Sequence, residues 1–477
     1  EAVQRDGIDS TATRSATYSR RGEQVDYNKF INSKRKTDPL SGLTEVPDLN
    51  PALIDFQKDV VAWALRRARA AIFADCGMGK TFMQLEWAKH VPGRVLIIAP
   101  LAVSLQTISE GVKFGFDVKY SGDGSPLGKI TITNYERIHK FDPSDYVGVV
   151  LDESGILKSY TGKYKQELVA RWSVLHWKLA ATATPAPNDY MELGNHAEFL
   201  GIMTGSEMLA AFFINDPGHV GHYRIKGHAE TPFWKWMASW AAMIRRPSDL
   251  GYDDGKFILP ECTYHDIVLD SHKAPDGFLF AVDAHTMMER KAARRATVGE
   301  RVAEVIRLAN STDDEWMVWC DRNDESAQLT KGINGAVEVK GSDTSEHKEG
   351  ALLGFAKGDF RVLVSKPKIA GWGMNYQHCR NVAFTGLSDS YEQFYQAVRR
   401  CWRFGQERPV NVYTVTDRTE GAVVANVRRK GIAADRMAEE MTKHMAYISR
   451  KEIRGDSGFA KSYKTNTQIQ VTSWLNA

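Results

Sequence analysis

Short apolar runs of strand length recur along this chain, separated by longer amphipathic stretches. Such runs, bounded by helix-like segments, are typical of a parallel sheet with helices on both faces. A first series consists of AAIFA, RVLIIAP, GKITITNY, YVGVVLDE and WKLAATAT. A second series, EWMVWC, FRVLVSK, RNVAFTG and PVNVYTV, follows a helical and irregular middle from about Met191 to Pro260. The two series predict two α/β lobes joined near Glu261.

The chain length agrees with a division into lobes, because single hydrophobic cores stop growing at about 250 to 300 residues and this chain has 477. We predict an extended or flexible N-terminal arm at 1–48, which is rich in Ser, Thr, Arg and Lys. A first lobe is predicted at 49–260 with a helical insertion at about 195–258, and a second lobe at 261–450. Residues 451–477 are predicted to be a polar tail.

Composition sets limits on the class of protein. Hydrophobic residues make up 43% and charged residues 25%, as in globular proteins. Lys and Arg number 62 against 59 Asp and Glu, so a nucleic-acid surface would have to be local. The five cysteines form no CxxC pair, and no apolar run reaches membrane-spanning length or resembles a secretory signal. We therefore expect a cytoplasmic protein without a membrane partner.

The segment ADCGMGKT lies between an apolar run and a helix-like stretch, which is the context of a phosphate-binding loop. Gly77 and Gly79 would let backbone N–H groups surround the phosphates. Lys80 would reach the β and γ phosphates, and Thr81 would hold Mg²⁺. The alternative for this segment alone is a Gly-rich turn without a ligand.

Two adjacent acids follow the apolar run of VVLDESG. Asp152 and Glu153 would project from the carboxyl end of a strand, facing the phosphate loop. Asp152 is predicted to hold Mg²⁺, and Glu153 to orient and deprotonate the attacking water. Acids at a strand end are more often solvated or helix-capping residues, but a GKT loop upstream favours the catalytic interpretation.

The segment QAVRRCWRFGQ carries Gln396, Arg400 and Arg403 at spacings of four and three. On one continuous helix these side chains would share a face. An arginine that meets the γ-phosphate from the second lobe would stabilise the transition state as an arginine finger. A basic solvated helix is the alternative.

Taken together, the three motifs resemble those of the Swi/Snf family of superfamily two helicase-like ATPases, in a compact bacterial or phage form. The resemblance covers about residues 50–420 and implies two RecA-like lobes that bind ATP and Mg²⁺. It further implies roles for residues in the family's other motifs. Gln57 and Gln396 would bind the nucleotide, and Pro100, Asn134 and Lys366 would bind nucleic acid. Coupling of ATP hydrolysis to nucleic-acid binding would fall to Thr182, Thr184 and Gly373.

The resemblance also implies a function, an ATP-dependent translocase with double-stranded DNA as the favoured partner. A strand-separating DNA or RNA helicase and a nucleotide-gated scaffold with little turnover are the alternatives. Two departures bear on coupling. Gly155 stands where relatives carry a side chain in the acidic box, and the third motif begins ATAT instead of the common LTGT.

The C-terminal part suggests a helix with an apolar stripe. Met437, Met441 and Met445 recur at spacings of four. We predict that this stripe docks a C-terminal helix on the second lobe. Protein partners could bind through this helix or through the N-terminal arm.

Overall fold

Two parallel sheets organise the part of the chain that the computed structural model describes, which comprises residues 40–158, 163–186, 189–215, 223–270, 287–370, 374–388 and 390–454. The strands of the first sheet are β1 (Arg69–Ala74), β2 (Val95–Ala99), β3 (Val118–Tyr120), β4 (Ile130–Asn134), β5 (Gly148–Asp152), β6 (Trp177–Thr182) and β9 (Ala241–Ile244). Their spatial order is β3-β4-β2-β5-β6-β1-β9, and each neighbouring pair is parallel.

Alternation along the strands divides the apolar side chains of the first lobe between the two faces of its sheet. In β1, Ile72 belongs to one buried cluster and Phe73 to the other. The Ile72 face is covered by α1 (Asp55–Arg67), α2 (Lys80–His90) and α3 (Leu101–Lys113). The Phe73 face is covered by α4 (Lys163–Trp172), α5 (Glu192–Leu200), α6 (Gly205–Phe212) and α7 (Glu230–Ala238).

The segment predicted as a helical insertion, 195–258, is partly β-structure. It contains the antiparallel pair β7 (Phe213–Asn215) and β8 (Tyr223–Ile225). It also contains β9, which pairs with β1 at the edge of the first sheet. The prediction was wrong for β9, because four apolar residues after a helix-like stretch carry no periodicity that separates a strand from a helix.

The second sheet repeats the arrangement with six strands. They are β10 (Cys262–Leu269), β11 (Trp316–Trp319), β12 (Ala336–Val339), β13 (Val362–Ser365), β14 (Asn381–Thr385) and β15 (Val410–Asp417). Their order is β10-β15-β14-β11-β13-β12, again with parallel neighbours. The helices are α8 (Met287–Ala296), α9 (Val298–Asn310), α10 (Asn323–Gly332), α11 (Ser345–Lys357), α12 (Pro367–Ala370) and α13 (Tyr391–Val398).

The faces of the second sheet confirm the predicted fold class. Phe355 of α11 and Val398 of α13 share a buried cluster with Met317 of β11. The next residue of that strand, Val318, faces a second cluster with Val302 of α9. Both lobes therefore have mostly parallel sheets between helices, as RecA-like domains do.

The C-terminal helix α14 (Gly421–Arg454) contacts both lobes. Near its start, Val423 packs in a core cluster of the second lobe. Further along, Met441 and Met445 are buried in a core cluster of the first lobe. The prediction that this stripe docks on the second lobe was wrong. A helix of 34 residues spans about 50 Å, so one helix reaches both lobes, and its sequence alone does not say which lobe covers a given turn.

Some predictions concern residues outside the described part of the chain. These are the arm from residue 1 to 39, the coupling residue Gly373, and the tail from residue 455 onward.

Candidate active site

The predicted phosphate loop lies between β1 and α2. Gly77 has φ +89° and Gly79 has φ +81°, in the left-handed region that side chains disfavour. A Cβ atom on Gly79 would lie 2.3 Å from Nε2 of Gln57, and one on Gly77 would lie 2.9 Å from Cβ of Phe404. Both positions therefore require glycine for backbone conformation and for space.

Lys80 is the first residue of α2, and its side chain turns back over the loop. Its Nζ donates to the carbonyl of Ala74 at 2.8 Å and to that of Asp75 at 3.4 Å. Thr81 follows in the first turn of the same helix. The start of a helix presents unpaired N–H groups that suit an anion. The loop, Lys80 and Thr81 together form a surface with the donors that a phosphate group needs.

Gln57 lies in the first turn of α1 and is buried against the loop. Its Nε2 donates to the Met78 carbonyl at 3.0 Å, and its Oε1 accepts from the backbone N–H of Ile54 at 3.0 Å. In this arrangement the predicted nucleotide-binding glutamine connects α1 to the phosphate loop.

Asp152 ends β5 and is 4% exposed. Its Oδ1 accepts from Nε2 of Gln84 on α2 at 2.9 Å and from the Glu153 backbone N–H at 3.0 Å. Burial, followed by the charge of Glu153, raises the pKa of Asp152 to about 6, against the opposing effects of Gln84 and Lys80. Glu153 itself has φ +52°, a conformation that is uncommon outside glycine and frequent at functional sites.

The residues predicted to hold Mg²⁺ fit that ion. Asp152 and Thr81 offer carboxylate and hydroxyl oxygens, which are the ligands Mg²⁺ prefers. The raised pKa of Asp152 has burial and a neighbouring carboxylate as its two largest causes. A cation at this position would favour the ionised form of Asp152 and so offset the effects of burial and of Glu153 on its pKa.

Two buried side chains support the acidic box, and sequence reasoning predicted this role for neither. The hydroxyl of Tyr135 donates to the Asp152 carbonyl at 2.7 Å. Nε2 of His196, on α5, lies 3.1 Å from the Ser154 hydroxyl. Burial lowers the pKa of His196 to about 4, so the ring is neutral at physiological pH. Tyr135 adjoins a motif residue, whereas His196 carries no local signal of its role.

The predicted coupling residues that the structure describes lie at the end of β6, beside the acidic box. The backbone N–H of Thr184 donates to the Thr182 hydroxyl at 3.2 Å. A Cβ atom on Gly155 would lie 3.7 Å from that hydroxyl and 3.4 Å from the Thr184 carbonyl. The acidic box and the third motif thus lie next to each other, with room for little more than a methyl group between them.

The predicted common helix face of Gln396, Arg400 and Arg403 is absent, and this prediction was wrong. Helix α13 ends at Val398, before both arginines. The chain then bends, and the Arg400 carbonyl accepts from the Tyr376 backbone N–H at 2.8 Å. The spacings of four and three therefore do not describe one continuous helix.

Arg400 is nevertheless buried, and Arg403 is partly buried. Nη1 of Arg400 donates to the Met374 carbonyl at 3.3 Å, and Nη1 of Arg403 donates to Oδ1 of Asn375. Burial, with the nearby charge of Arg400, lowers the pKa of Arg403 to about 10, so its guanidinium remains charged at neutral pH. Gln396 is buried on α13.

A different arginine, Arg399, contacts the phosphate loop from the second lobe. Its Nη2 donates to Oδ2 of Asp75 at 2.8 Å and to the Cys76 carbonyl at 3.1 Å. Sequence reasoning missed it because Arg399 has two arginine neighbours in the motif and its spacing to them suggests nothing special.

The predicted nucleic-acid residues of the first lobe lie at the carboxyl ends of two neighbouring strands. Pro100 follows β2, and Asn134 ends the adjacent parallel strand β4. Asn134 is buried, accepts from the Tyr120 hydroxyl at 2.9 Å and donates to Glu136. In the second lobe, Lys366 follows β13, and its Nζ donates to Oδ1 of Asn323 at 2.6 Å.

Comparison with known proteins bears on the second lobe. Residues 300–405 match the family model described as the helicase conserved C-terminal domain. No curated protein is similar enough to the chain to count as a match. Within the described residues, no helix combines the length and apolar character needed to cross a membrane. The match at 300–405, together with the fold of two α/β lobes, supports the interpretation that the chain is a helicase-like protein of superfamily two.

Proposed function

We propose that this chain is an ATP-dependent DNA translocase that hydrolyses ATP between its lobes and moves along double-stranded DNA. One observation carries the proposal: the phosphate loop and the acidic box of the first lobe both contact α13 of the second. Tyr395 of α13, and Arg399 directly after this helix, bond to Asp75 of the loop. Glu392 of α13 pairs with Lys158 beside the acidic box. The helicase C-terminal match at residues 300–405 includes α13.

In the proposed reaction, each group acts through chemistry that its position allows. Lys80 and the start of α2 bind the β and γ phosphates. Mg²⁺, bound through Thr81 and Asp152, would neutralise phosphate charge. Glu153 orients water for attack on the γ-phosphorus and accepts its proton while the bond to the β-phosphate oxygen breaks.

Arg400 and Arg403 supply the positive charge that stabilises the transferring phosphoryl group. To do so they exchange their contacts with Met374 and Asn375 for contacts with phosphate oxygens. These two side chains would therefore change conformation during turnover, and we infer that the lobes move relative to one another in the same step.

Movement along DNA requires each lobe to bind the phosphate backbone. We assign this to Pro100 and Asn134 in the first lobe and to Lys366 in the second. Asn134 must give up its contacts with Tyr120 and Glu136 if its amide is to reach a phosphate. Because backbone phosphates carry no sequence information, little base preference is expected. Thr182, Thr184 and Gly373 would couple this grip to hydrolysis.

We further propose that the protein acts in the cytoplasm of a bacterial or phage-infected cell. Protein partners would bind through the arm at 1–48 or through α14. Met441 and Met445 are buried against the first lobe, so a partner of α14 would use its outer side.

The catalytic assignment is tested by Lys80→Ala and Glu153→Gln. Each removes a reacting or phosphate-binding group without emptying the core, so turnover should be lost while the far-ultraviolet circular dichroism spectrum is retained. Glu153→Gln should still bind ATP. Lys89→Ala, at a half-exposed position on the same helix as Lys80, is the control. Near-normal hydrolysis by Lys80→Ala or Glu153→Gln would refute the proposed active site.

The substrate assignment is tested by measuring ATPase activity with double-stranded DNA, single-stranded DNA and RNA. Double-stranded DNA should stimulate most, and a triplex assay on blunt duplex should show loss of the third strand with the duplex intact. Release of a duplex strand would favour a strand-separating helicase. Tight, ATP-dependent binding without turnover would favour a scaffold, and stimulation by RNA alone would show that the proposed substrate is wrong.

A further inference from the structure

Three polar side chains connect the phosphate loop to the second lobe. Oδ1 of Asp75 accepts from the Tyr395 hydroxyl at 2.6 Å and from the Cys76 backbone N–H at 2.6 Å. Oδ2 of Asp75 accepts from Nη2 of Arg399 at 2.8 Å, and the same nitrogen donates to the Cys76 carbonyl at 3.1 Å. Two of the three donors to this carboxylate thus come from the second lobe.

The contact is largely removed from water. The side chain of Arg399 is 5% exposed and that of Asp75 is 20% exposed. The Arg399 guanidinium lies 4.9 Å from the ring centre of Trp402 and 5.8 Å from that of Tyr395, within the range of cation–π attraction. Removing one partner of a buried pair while the lobes remain together leaves the other charge uncompensated, so a substitution of Arg399 or Asp75 should perturb this contact strongly.

Asp75 is also where the loop is anchored within its own lobe. Its backbone N–H donates to the Ile244 carbonyl of β9 at 2.9 Å. Its carbonyl accepts from the Met78 N–H at 3.2 Å and from Nζ of Lys80 at 3.4 Å. A force on the Asp75 carboxylate therefore acts on the residue that orients both the turn of the loop and Lys80.

We propose that Arg399, together with Tyr395, is a positioning residue that sets the phosphate loop through Asp75 when the lobes are closed. This inference rests on the proposed ATPase function. Its role differs from that of Arg400 and Arg403, because Arg399 contacts the protein loop and leaves the phosphates to them. ATP binding thereby depends on lobe closure through a defined ion pair.

The test is a double-mutant cycle with Arg399→Met, Asp75→Asn and the double variant. Each single change cuts the same link, so each should raise the KM for ATP by about tenfold while kcat falls less than about threefold. The double variant should be no worse than either single variant within about twofold, because the link can be lost only once and the double variant leaves no unpaired charge. Arg307→Met, an exposed arginine paired with Glu304 on α9, should leave KM and kcat unchanged.

Two kinetic outcomes would overturn the inference. Additive effects of the two changes would mean that Arg399 and Asp75 act independently. An unchanged KM with a kcat loss of about 10³-fold would instead make Arg399 an arginine finger. If Arg399→Met does not fold, Arg399→Lys replaces it in the cycle, and it should give an intermediate KM because it keeps the charge without the planar fork.

A measurement without nucleotide separates this inference from the proposed function. The shift in thermal unfolding midpoint is determined for the same set of variants in the absence of ATP. Shifts that do not add support the contact between loop and lobe even if the wild-type protein proves to have no ATPase activity, which would refute only the proposed function. Additive shifts would refute the contact itself.

Discussion

At Gly155 the acidic box carries no side chain, and the Glu392 carboxylate of α13 lies beside it. A Cβ atom at Gly155 would be 3.3 Å from Oε1 of Glu392. The other carboxylate oxygen of Glu392 pairs with Lys158, at the end of the same box segment. An acid from the second lobe thus lies in the space that a larger residue at position 155 would enter.

We expect Gly155→His to reduce the ATPase stimulation by double-stranded DNA by about tenfold. The imidazole would displace Glu392 and break its pair with Lys158. Gly155→Ala is the control, since its Cβ would require only a small shift of the flexible Glu392 side chain. Steady-state ATPase assays with and without DNA measure the effect. Normal stimulation of Gly155→His would show that this contact has no part in coupling.

His196 should make the first lobe sensitive to acid. Its pKa is lowered to about 4 by burial, whereas an unfolded histidine titrates near 6.5. Between these values the unfolded chain binds the additional proton, so the free energy of unfolding falls as pH drops from about 6.5 to about 4. The loss from this residue is at most about 3 kcal/mol.

Unfolding of the wild type and of His196→Gln at pH 7.5 and 5.0 checks this expectation. The variant should lose less stability than the wild type over this interval, although it is less stable at pH 7.5. Substitution of the exposed His228 by Gln is the control. Equal losses in the wild type and His196→Gln would contradict the argument.

At the scale of elements, α14 is part of the core of both lobes. His444 stacks on Trp234 of α7, with ring centres 5.3 Å apart and planes 4° apart. Arg450 donates to the carbonyls of Asp249 at 2.9 Å and Ser248 at 2.7 Å. The helix therefore adds apolar and polar contacts to the first lobe after leaving the second.

Met445→Ala should lower the free energy of unfolding of the first lobe by about 2 to 4 kcal/mol, because it empties a buried site. Met445 is fully buried in a core cluster that also contains Phe233 and Trp240. Ile432→Ala is the matched control, since Ile432 lies on the same helix and is 71% exposed. Denaturant unfolding of both variants measures the difference. A loss no larger than that of the control would mean that the first lobe does not depend on α14.

At the scale of the whole molecule, the lobes meet at several points of the candidate site. Arg399 contacts Asp75, Glu392 contacts Lys158, and Phe404 lies against Gly77. Phe404 also stacks on Phe257, with ring centres 4.7 Å apart. Relative motion of the lobes would change these contacts together, which suits an enzyme that opens and closes its site in each cycle.

Lys366→Ala should weaken binding of double-stranded DNA about equally for all sequences. The slope of log K for DNA binding against log[salt] should become less steep by about one. The reason is that a lysine at this position would neutralise a phosphate without reading a base. Lys331→Ala, an exposed position on α10 of the same lobe, is the control. DNA titrations at several salt concentrations measure both slopes. An unchanged slope for Lys366→Ala would remove this residue from the DNA contact.

From the sequence alone, the interior strands of both sheets and the order of the motifs could be predicted, whereas the edge strands β3, β9, β10 and β12 were missed. Apolar runs of strand length are local features, and Asp75 to Gly79 must form a loop where a strand gives way to a helix that begins at Lys80. Because the carboxyl ends of parallel strands lie at one edge of a sheet, the proximity of Asp152 to that loop followed from the same pattern.

Which side chains meet across the lobes could be read only from the folded structure. The end of α13 at Val398 makes Arg399 the residue that bonds to Asp75, although the motif spacing drew attention to Arg400 and Arg403. The burial of Met445 against the first lobe, where the sequence predicted the second, is likewise visible only in the folded structure. Periodicity encodes which face of an element is apolar, whereas contacts between segments hundreds of residues apart depend on how the lobes and α14 pack.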